Sequence, residues 1–267
     1  MTAHDVLGLV LFAPEGANGT VAGSSDGVAS FKEFLFELLG TTEIRFKDSE
    51  SDRPPFRRIS VDLREEIVGL KRPDIHPDST ENFHLSPAEW HAALSDESPK
   101  LLIDTRNRYE TRAGMFKGAI DPDINIFSEW GTYLDQADLP KDLPVYMYCT
   151  GGIRCEKALI EMKSRGFDEV YQLRDGILGY LEEYPDGLYE GECYVFDQRV
   201  AVDSHLRPTQ IYGTCPGCGL TAKEQRVCER CGKTFTVCED CSPAWGPGCS
   251  KDCRYVLKQR AKKSTLS

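Results

Sequence analysis

From Leu7 to Ile67 the apolar positions fall into short runs interrupted by one longer segment of helical period. LGLVLF and GTVAG read as strands and FRRISVDLR as a third. SSDGVASFKEFLFELLG reads as a helix, because Phe31, Phe34, Leu35 and Leu38 recur at the three-to-four-residue spacing of a single apolar face. APEGANGT, between the first two strands, is the expected connection, with Gly16, Asn18 and Gly19 supplying the positive φ angles of a tight turn.

The order strand, strand, helix, strand matches the later part of a ferredoxin-like unit whose first strand and helix are missing. This predicts a partial ferredoxin-like domain over residues 1–72. KRPDIHPDSTENFH, with Pro73 and Pro77, is the expected linker. Ser86-Pro87-Ala88-Glu89 then carries three concurrent helix-start signals: an N-cap serine, proline at the first helical position and glutamate at the capping-box position.

KLLIDTR, GMFKGAI, PVYMYC and EVYQLRDG follow as short apolar runs, separated by helical text such as EKALIEMKSRGF. Alternation of this length predicts an α/β domain over residues 80–190, built on a parallel sheet covered on both faces. Ligands of such sheets bind at the carboxyl ends of the strands, where Asp104 and Cys149 fall. A connector over residues 191–211 leads to a distinct cysteine-rich segment over residues 212–267.

Composition narrows the class. A chain of 267 residues with 40% hydrophobic and 28% charged residues has room for about two globular domains. No stretch approaches the roughly 18 apolar residues of a membrane span. MTAHDVLGLVLFAPEG has no basic n-region or small-residue cleavage site, so a cytoplasmic protein without membrane association is expected. The net charge of −11 argues against a basic coat for nucleic acid. It leaves room for local patches, and two stand out: Arg53, Arg57, Arg58, Arg64, Lys71 and Arg72 in the first third, and Lys251, Arg254, Lys258, Arg260, Lys262 and Lys263 in the tail. Each is a solvated charge run unless an independent feature points to an anionic partner.

In the tail, Cys215-x2-Cys218, Cys228-x2-Cys231, Cys238-x2-Cys241 and Cys249-x3-Cys253 have the spacing that directs two thiolates at one tetrahedral ion. Eight thiolates predict two structural zinc sites, and a reducing compartment disfavours disulfides. Spacing alone leaves open whether consecutive pairs share an ion or interleave. A closed four-thiolate site has no open coordination position, so this module should fold and bind rather than catalyse.

Cys149 and Cys155 stand apart, in VYMYCTGGIRCEK at a strand-to-helix turn. If the next helix begins at Glu156, the loop Thr150-Gly151-Gly152-Ile153-Arg154-Cys155 must turn sharply, and the two glycines remove the Cβ atoms that would obstruct it. Its amides can converge into an anion-binding nest, and Arg154 adds positive charge. Those surroundings favour thiolate over thiol and make Cys149 a nucleophile rather than a small residue closing a strand. Cys155 is either a resolving thiol or a substitute for a helix N-cap.

IDTRNRYETRAGMFKGAI (103–120) and YCTGGIRCEKA (148–158) resemble the first signature and the active-site loop of rhodanese-homology domains. The resemblance implies a rhodanese-like parallel sheet with flanking helices, a persulfide-bearing Cys149 cradled by loop amides, Arg154 lining the pocket, and Asp104 and Arg106 bracing the site. The family's histidine after glycine is absent, since Met115 and Phe116 follow Gly114. Four residues separate Cys149 from Arg154, whereas related cysteine phosphatases have five, and the shorter loop suits one sulfur atom rather than a phosphate.

EGANGTVAG, CTGGIRCEKA, YVFDQRV (194–200) and the cysteine-rich tail together are similar to the rhodanese-domain tRNA uridine hydroxylases. The resemblance spans nearly the whole chain, although members usually begin with a further strand and helix. It implies oxygen-dependent hydroxylation of the wobble uridine, position 34, to 5-hydroxyuridine, with the tRNA anticodon loop as partner and molecular oxygen as co-substrate. Sulfur transfer from a small donor through a Cys149 persulfide is the alternative activity.

Overall fold

A computed structural model describes residues 2–44, 46–50, 54–77 and 83–264, and the chain divides into two compact units, Met1–Ser79 and Thr80–Ser267. In the first, β1 (Val6–Ala13) and β2 (Gly16–Gly23) form an antiparallel hairpin with Ala13 opposite Gly16. The turn is therefore Pro14-Glu15, and Asn18 and Gly19 belong to β2 rather than to the predicted connection. Gly19 is needed for close approach rather than for positive φ: a Cβ there would lie 2.4 Å from the Leu9 carbonyl oxygen.

Ser24 caps α1 (Ser25–Leu39) by accepting from the Gly27 amide at 3.1 Å, and Gly40 ends it with φ 65°. The helix buries Phe31 and Leu35 against Val6 and Val10 of β1, while Phe34 and Leu38 stay exposed. β3 (Ile59–Leu63) then pairs in parallel with β1, giving the mixed strand order β2-β1-β3.

The second unit starts with β4 (His84–Leu85), α2 (Pro87–Ser95), β5 (Leu101–Asp104), α3 (Arg108–Thr111) and β6 (Gly114–Phe116). It continues with α4 (Trp130–Gln136), β7 (Val145–Tyr148), α5 (Ile153–Ser164), β8 (Val170–Leu173) and α6 (Gly176–Glu183). A parallel sheet of order β4-β8-β7-β5 forms its centre, with Asp104 beside Tyr148 in register. The capping box of α2 is complete, Ser86 and Glu89 each accepting from the other's amide, and it seats Trp90 in the core.

Two strand expectations are corrected. The GMFKGAI run is divided: β6 pairs antiparallel with β9 (Tyr189–Gly191) in a separate ribbon, and only Ile120 meets the parallel sheet, as an isolated parallel bridge to Ile103 of β5. The fourth strand is β4, from the end of the predicted linker, whose two residues are too short to show a period. Phe116 packs edge-to-face on Tyr148 and Tyr180, each at 4.8 Å between ring centroids.

β10 (Cys193–Tyr194) and β11 (Ala201–Val202) form a small hairpin whose Cys193, Val195 and Val202 join the same core as Trp90 and Phe116. Beyond it, β12 (Gly213–Thr214) pairs with β13 (Thr221–Ala222) and β14 (Glu224–Val227) with β15 (Thr234–Val237), followed by α7 (Ser242–Trp245) and α8 (Lys251–Ser264). The apolar core of this segment is little more than Ala222, Val237 and Trp245 among cysteines. It is held against the sheet domain by Arg112–Asp240 at 3.0 Å and by the Tyr212 hydroxyl donating to the Ala113 carbonyl at 3.2 Å. No described helix is long and apolar enough to cross a membrane.

Candidate active site

Cys149 follows β7 directly, and its side chain is fully buried. α5 begins at Ile153, three residues earlier than the Glu156 start expected from sequence, so Arg154 and Cys155 lie in its first turn. The turn is made by Gly152, whose φ of 94° is the left-handed region that favours glycine. A Cβ at Gly152 would meet nothing closer than 3.6 Å, so the constraint is backbone conformation and not crowding.

The Gly152 amide donates to the Cys149 sulfur at 3.0 Å. What turns the loop amides inward is a second helix. The α6 amides of Ile177 and Leu178 bind the carbonyls of Cys149 and Thr150 at 3.0 and 3.2 Å, drawing the loop's acceptors away from the sulfur. Gly176 permits that approach, with φ 62° and a position where a Cβ would stand 2.5 Å from the Cys149 carbonyl oxygen.

Burial by itself pushes the Cys149 thiol up. It is outweighed by a hydrogen bond from Cys155, the charge of Arg154 and the amides of Arg154 and Gly151, which bring the group down from 9.0 to about 5. Burial and the neighbouring Cys149 hold Cys155 well above the ordinary thiol range, so Cys155 keeps its proton and donates it. The Cys155 sulfur also lies 3.5 Å from the Thr105 hydroxyl, which itself donates to the Tyr148 carbonyl at 2.9 Å.

Arg154 is not free to bind a ligand end-on. Its guanidinium forks onto Glu110, with Nη2 at 2.7 Å from Oε1, and the Thr150 hydroxyl donates to the same oxygen at 3.1 Å. Glu110 is completely buried, and Arg154 overcomes its desolvation to hold the carboxyl below its usual range. Glu110 is the site residue that the sequence reading did not single out. The one available signal is its place three residues after Asn107, a capping-box spacing.

Asp104 and Arg106 form a second buried fork at the end of β5, with Nε at 2.9 Å from Oδ1 and Nη2 at 2.7 Å from Oδ2. Arg106 also donates to the Gly114 carbonyl at 2.6 Å, tying the end of β5 to β6. Neither side chain reaches solvent.

The cysteines of the tail gather into two groups: Cys215, Cys218, Cys238 and Cys241, and Cys228, Cys231, Cys249 and Cys253. Pairs therefore interleave, the first with the third and the second with the fourth. Within each group the sulfurs lie within 4.8 Å of one another, with Cys218–Cys238 and Cys231–Cys249 both at 3.6 Å. Four thiolates about 2.3 Å from a tetrahedral ion stand roughly 3.8 Å apart, so either group could hold a metal ion. Gly219 and Gly232, each just after the second cysteine of its pair, close the two knuckles with φ 81° and 70°.

Of the basic residues, Arg64 pairs with Asp62 at 3.0 Å and Arg72 forks onto Asp74. Arg53 and the side chains of Lys262 and Lys263 lie outside the described residues. Lys251, Lys258 and Arg260 are exposed on α8, and Arg254 lies over the Trp245 ring at 4.1 Å.

Family profiles match three successive stretches: a UPF0176 acylphosphatase-like domain over 1–67, a rhodanese-like domain over 86–183 and a rhodanase C-terminal domain over 190–254. A protein of Bdellovibrio bacteriovorus named tRNA uridine(34) hydroxylase is 44% identical over 258 residues, 96% of this chain and 74% of that protein. The chain belongs to the tRNA uridine(34) hydroxylase family. Proteins of the same name from Rhizobium leguminosarum and Agrobacterium fabrum are 39% and 40% identical over 98% and 92% of this chain. Relatives at this coverage take in the hydroxylase family's hairpin unit, rhodanese domain and cysteine-rich tail together.

Proposed function

We propose that this chain is a tRNA uridine(34) hydroxylase in which Cys149 is the reactive group, acting in the cytoplasm with molecular oxygen as co-substrate. The observation that carries the reading is the identity with named hydroxylases over 96% of the chain, which no isolated rhodanese domain would produce. The site agrees chemically. Addition of a thiolate at pyrimidine C6 makes C5 nucleophilic toward one oxygen atom of O2, the other atom leaving as water with two electrons from an external reductant, and loss of the C5 proton with expulsion of the thiolate then restores the C5–C6 double bond. An oxidised sulfur on Cys149 would deliver oxygen from the same position. Both routes need the thiolate that the amide nest and Arg154 stabilise, and both need a base already unstacked, as anticodon-loop bases readily are.

Arg154 acts on Cys149 through its charge, with Glu110 holding it in place, and Asp104 with Arg106 braces the end of β5 against β6. The two thiolate groups would hold structural zinc, which needs the reduced cysteines of a reducing compartment. The exposed basic residues of α8 would contact tRNA phosphates.

Nucleoside mass spectrometry of tRNA incubated in air with the full chain tests the reading. Wild-type protein should yield 5-hydroxyuridine at position 34 and Cys149→Ser none. Unmodified tRNA alongside rapid sulfur transfer from thiosulfate would replace it with the sulfurtransferase alternative.

A further inference from the structure

The β10–β11 hairpin contains a tightly built loop, residues 195–200. Val195 is buried in the core, its amide donates to the Val200 carbonyl at 2.9 Å, and Val200 takes a φ of 66°, a costly conformation for a β-branched residue. Inside the loop Arg199 forks onto Asp197, with Nε at 3.0 Å from both carboxylate oxygens, and the Arg199 amide donates to Oδ1 at 2.8 Å. What this framework presents is Phe196, 59% exposed. The loop thus holds a large apolar ring in water, where that ring gains nothing from the core.

The ring's position accounts for it. The Arg154 guanidinium lies 5.8 Å from the Phe196 centroid, so Phe196 stands beside the same side chain whose charge acts on Cys149. Tyr194 meets Phe196 edge-to-face at 5.1 Å, and Tyr109 meets Tyr194 in the same manner at 5.2 Å, so the ring is buttressed from behind. An exposed aromatic ring beside the arginine that acts on the reactive sulfur suits a flat, unstacked base, and stacking requires no particular hydrogen-bond pattern.

We propose that Phe196, backed by Tyr194, is the stacking surface for the uracil ring of the nucleotide presented to Cys149. The inference rests on the tRNA hydroxylase reading for the identity of the base and on the loop geometry for the contact. Phe196 thereby orients the ring over the site, and the Asp197–Arg199 fork is what keeps it in place.

The test uses the full chain. Phe196→Ala should lower kcat/KM for tRNA hydroxylation about ten-fold, with Phe196→Tyr staying within about two-fold of wild type and Phe196→Leu as impaired as alanine. Full activity of Phe196→Leu would mean that the ring only fills space and would overturn the proposal. The pH profile of Cys149 alkylation should be the same in all of these variants, showing that the sulfur site is intact. In a second arm, Phe196→Trp adds a fluorescent ring to the three native tryptophans, whose signal is subtracted with wild-type protein. A synthetic anticodon stem-loop with uridine at position 34 should quench it, and the same RNA abasic at that position should not. Equal quenching by both RNAs overturns the stacking role even where hydroxylation is observed. Absence of hydroxylation in wild type overturns the activity instead, and the quenching contrast then still judges the contact.

Discussion

The Glu110 carboxylate grips the Arg154 guanidinium through both of its terminal nitrogens, 44 residues apart in sequence and shielded from water, and the charge so held acts on the Cys149 sulfur. The pair sets the arginine's direction, so that its positive charge serves the thiolate and not solvent. Removing either partner strands the other in a place where water cannot repair the loss.

Glu110→Gln should therefore destabilise the protein by about 3–5 kcal/mol, the usual penalty for an orphaned buried charge. Urea denaturation measures it. The double variant Glu110→Gln/Arg154→Met should recover part of that stability while leaving the Cys149 thiol less acidic.

The alkylation rate of Cys149 by iodoacetamide should follow a titration near pH 5, because the thiolate is the nucleophile. The sign for stability follows from proton binding. Between about 5 in the folded state and 9.0 for an unperturbed thiol, the unfolded chain binds a proton that the folded chain does not. Stability from this group thus rises with pH through that window, is complete above it and is lost as pH falls through about 5. Cys149→Ser should flatten this part of a plot of stability against pH.

Cys155→Ala removes the thiol that donates to Cys149 and should slow alkylation at pH 5 by about ten-fold, the worth of a hydrogen bond to a charged atom. Cys155→Ser keeps a donor and should stay close to wild type. Equal rates in the alanine variant and wild type would show that the amides and Arg154 suffice.

Native mass spectrometry of zinc-loaded protein should detect two ions per chain. The interleaved grouping makes a sharper demand on double variants. Cys215→Ser with Cys238→Ser should cost one ion and leave the other, whereas Cys215→Ser with Cys228→Ser should cost both. Consecutive pairing would predict the reverse, both ions lost from the first double variant and only one from the second.

Local patterns in the chain were sufficient for much of this molecule. The Ser86–Glu89 capping box, the helical period of α1, the glycine-rich turn after Cys149 and the CxxC knuckles are all written within a few residues, because helix periods, positive φ and ligand bite are short-range properties. They located the thiolate loop and named its family. Tertiary structure decided whatever depends on which distant segments meet. It chose Glu110 as the partner of Arg154, brought the amides of α6 behind the loop carbonyls, sent β6 to β9 instead of the parallel sheet, and interleaved the cysteine pairs. A charge, a carbonyl or a thiolate carries no local mark of its partner, since the same residue is equally satisfied by water until packing removes the water.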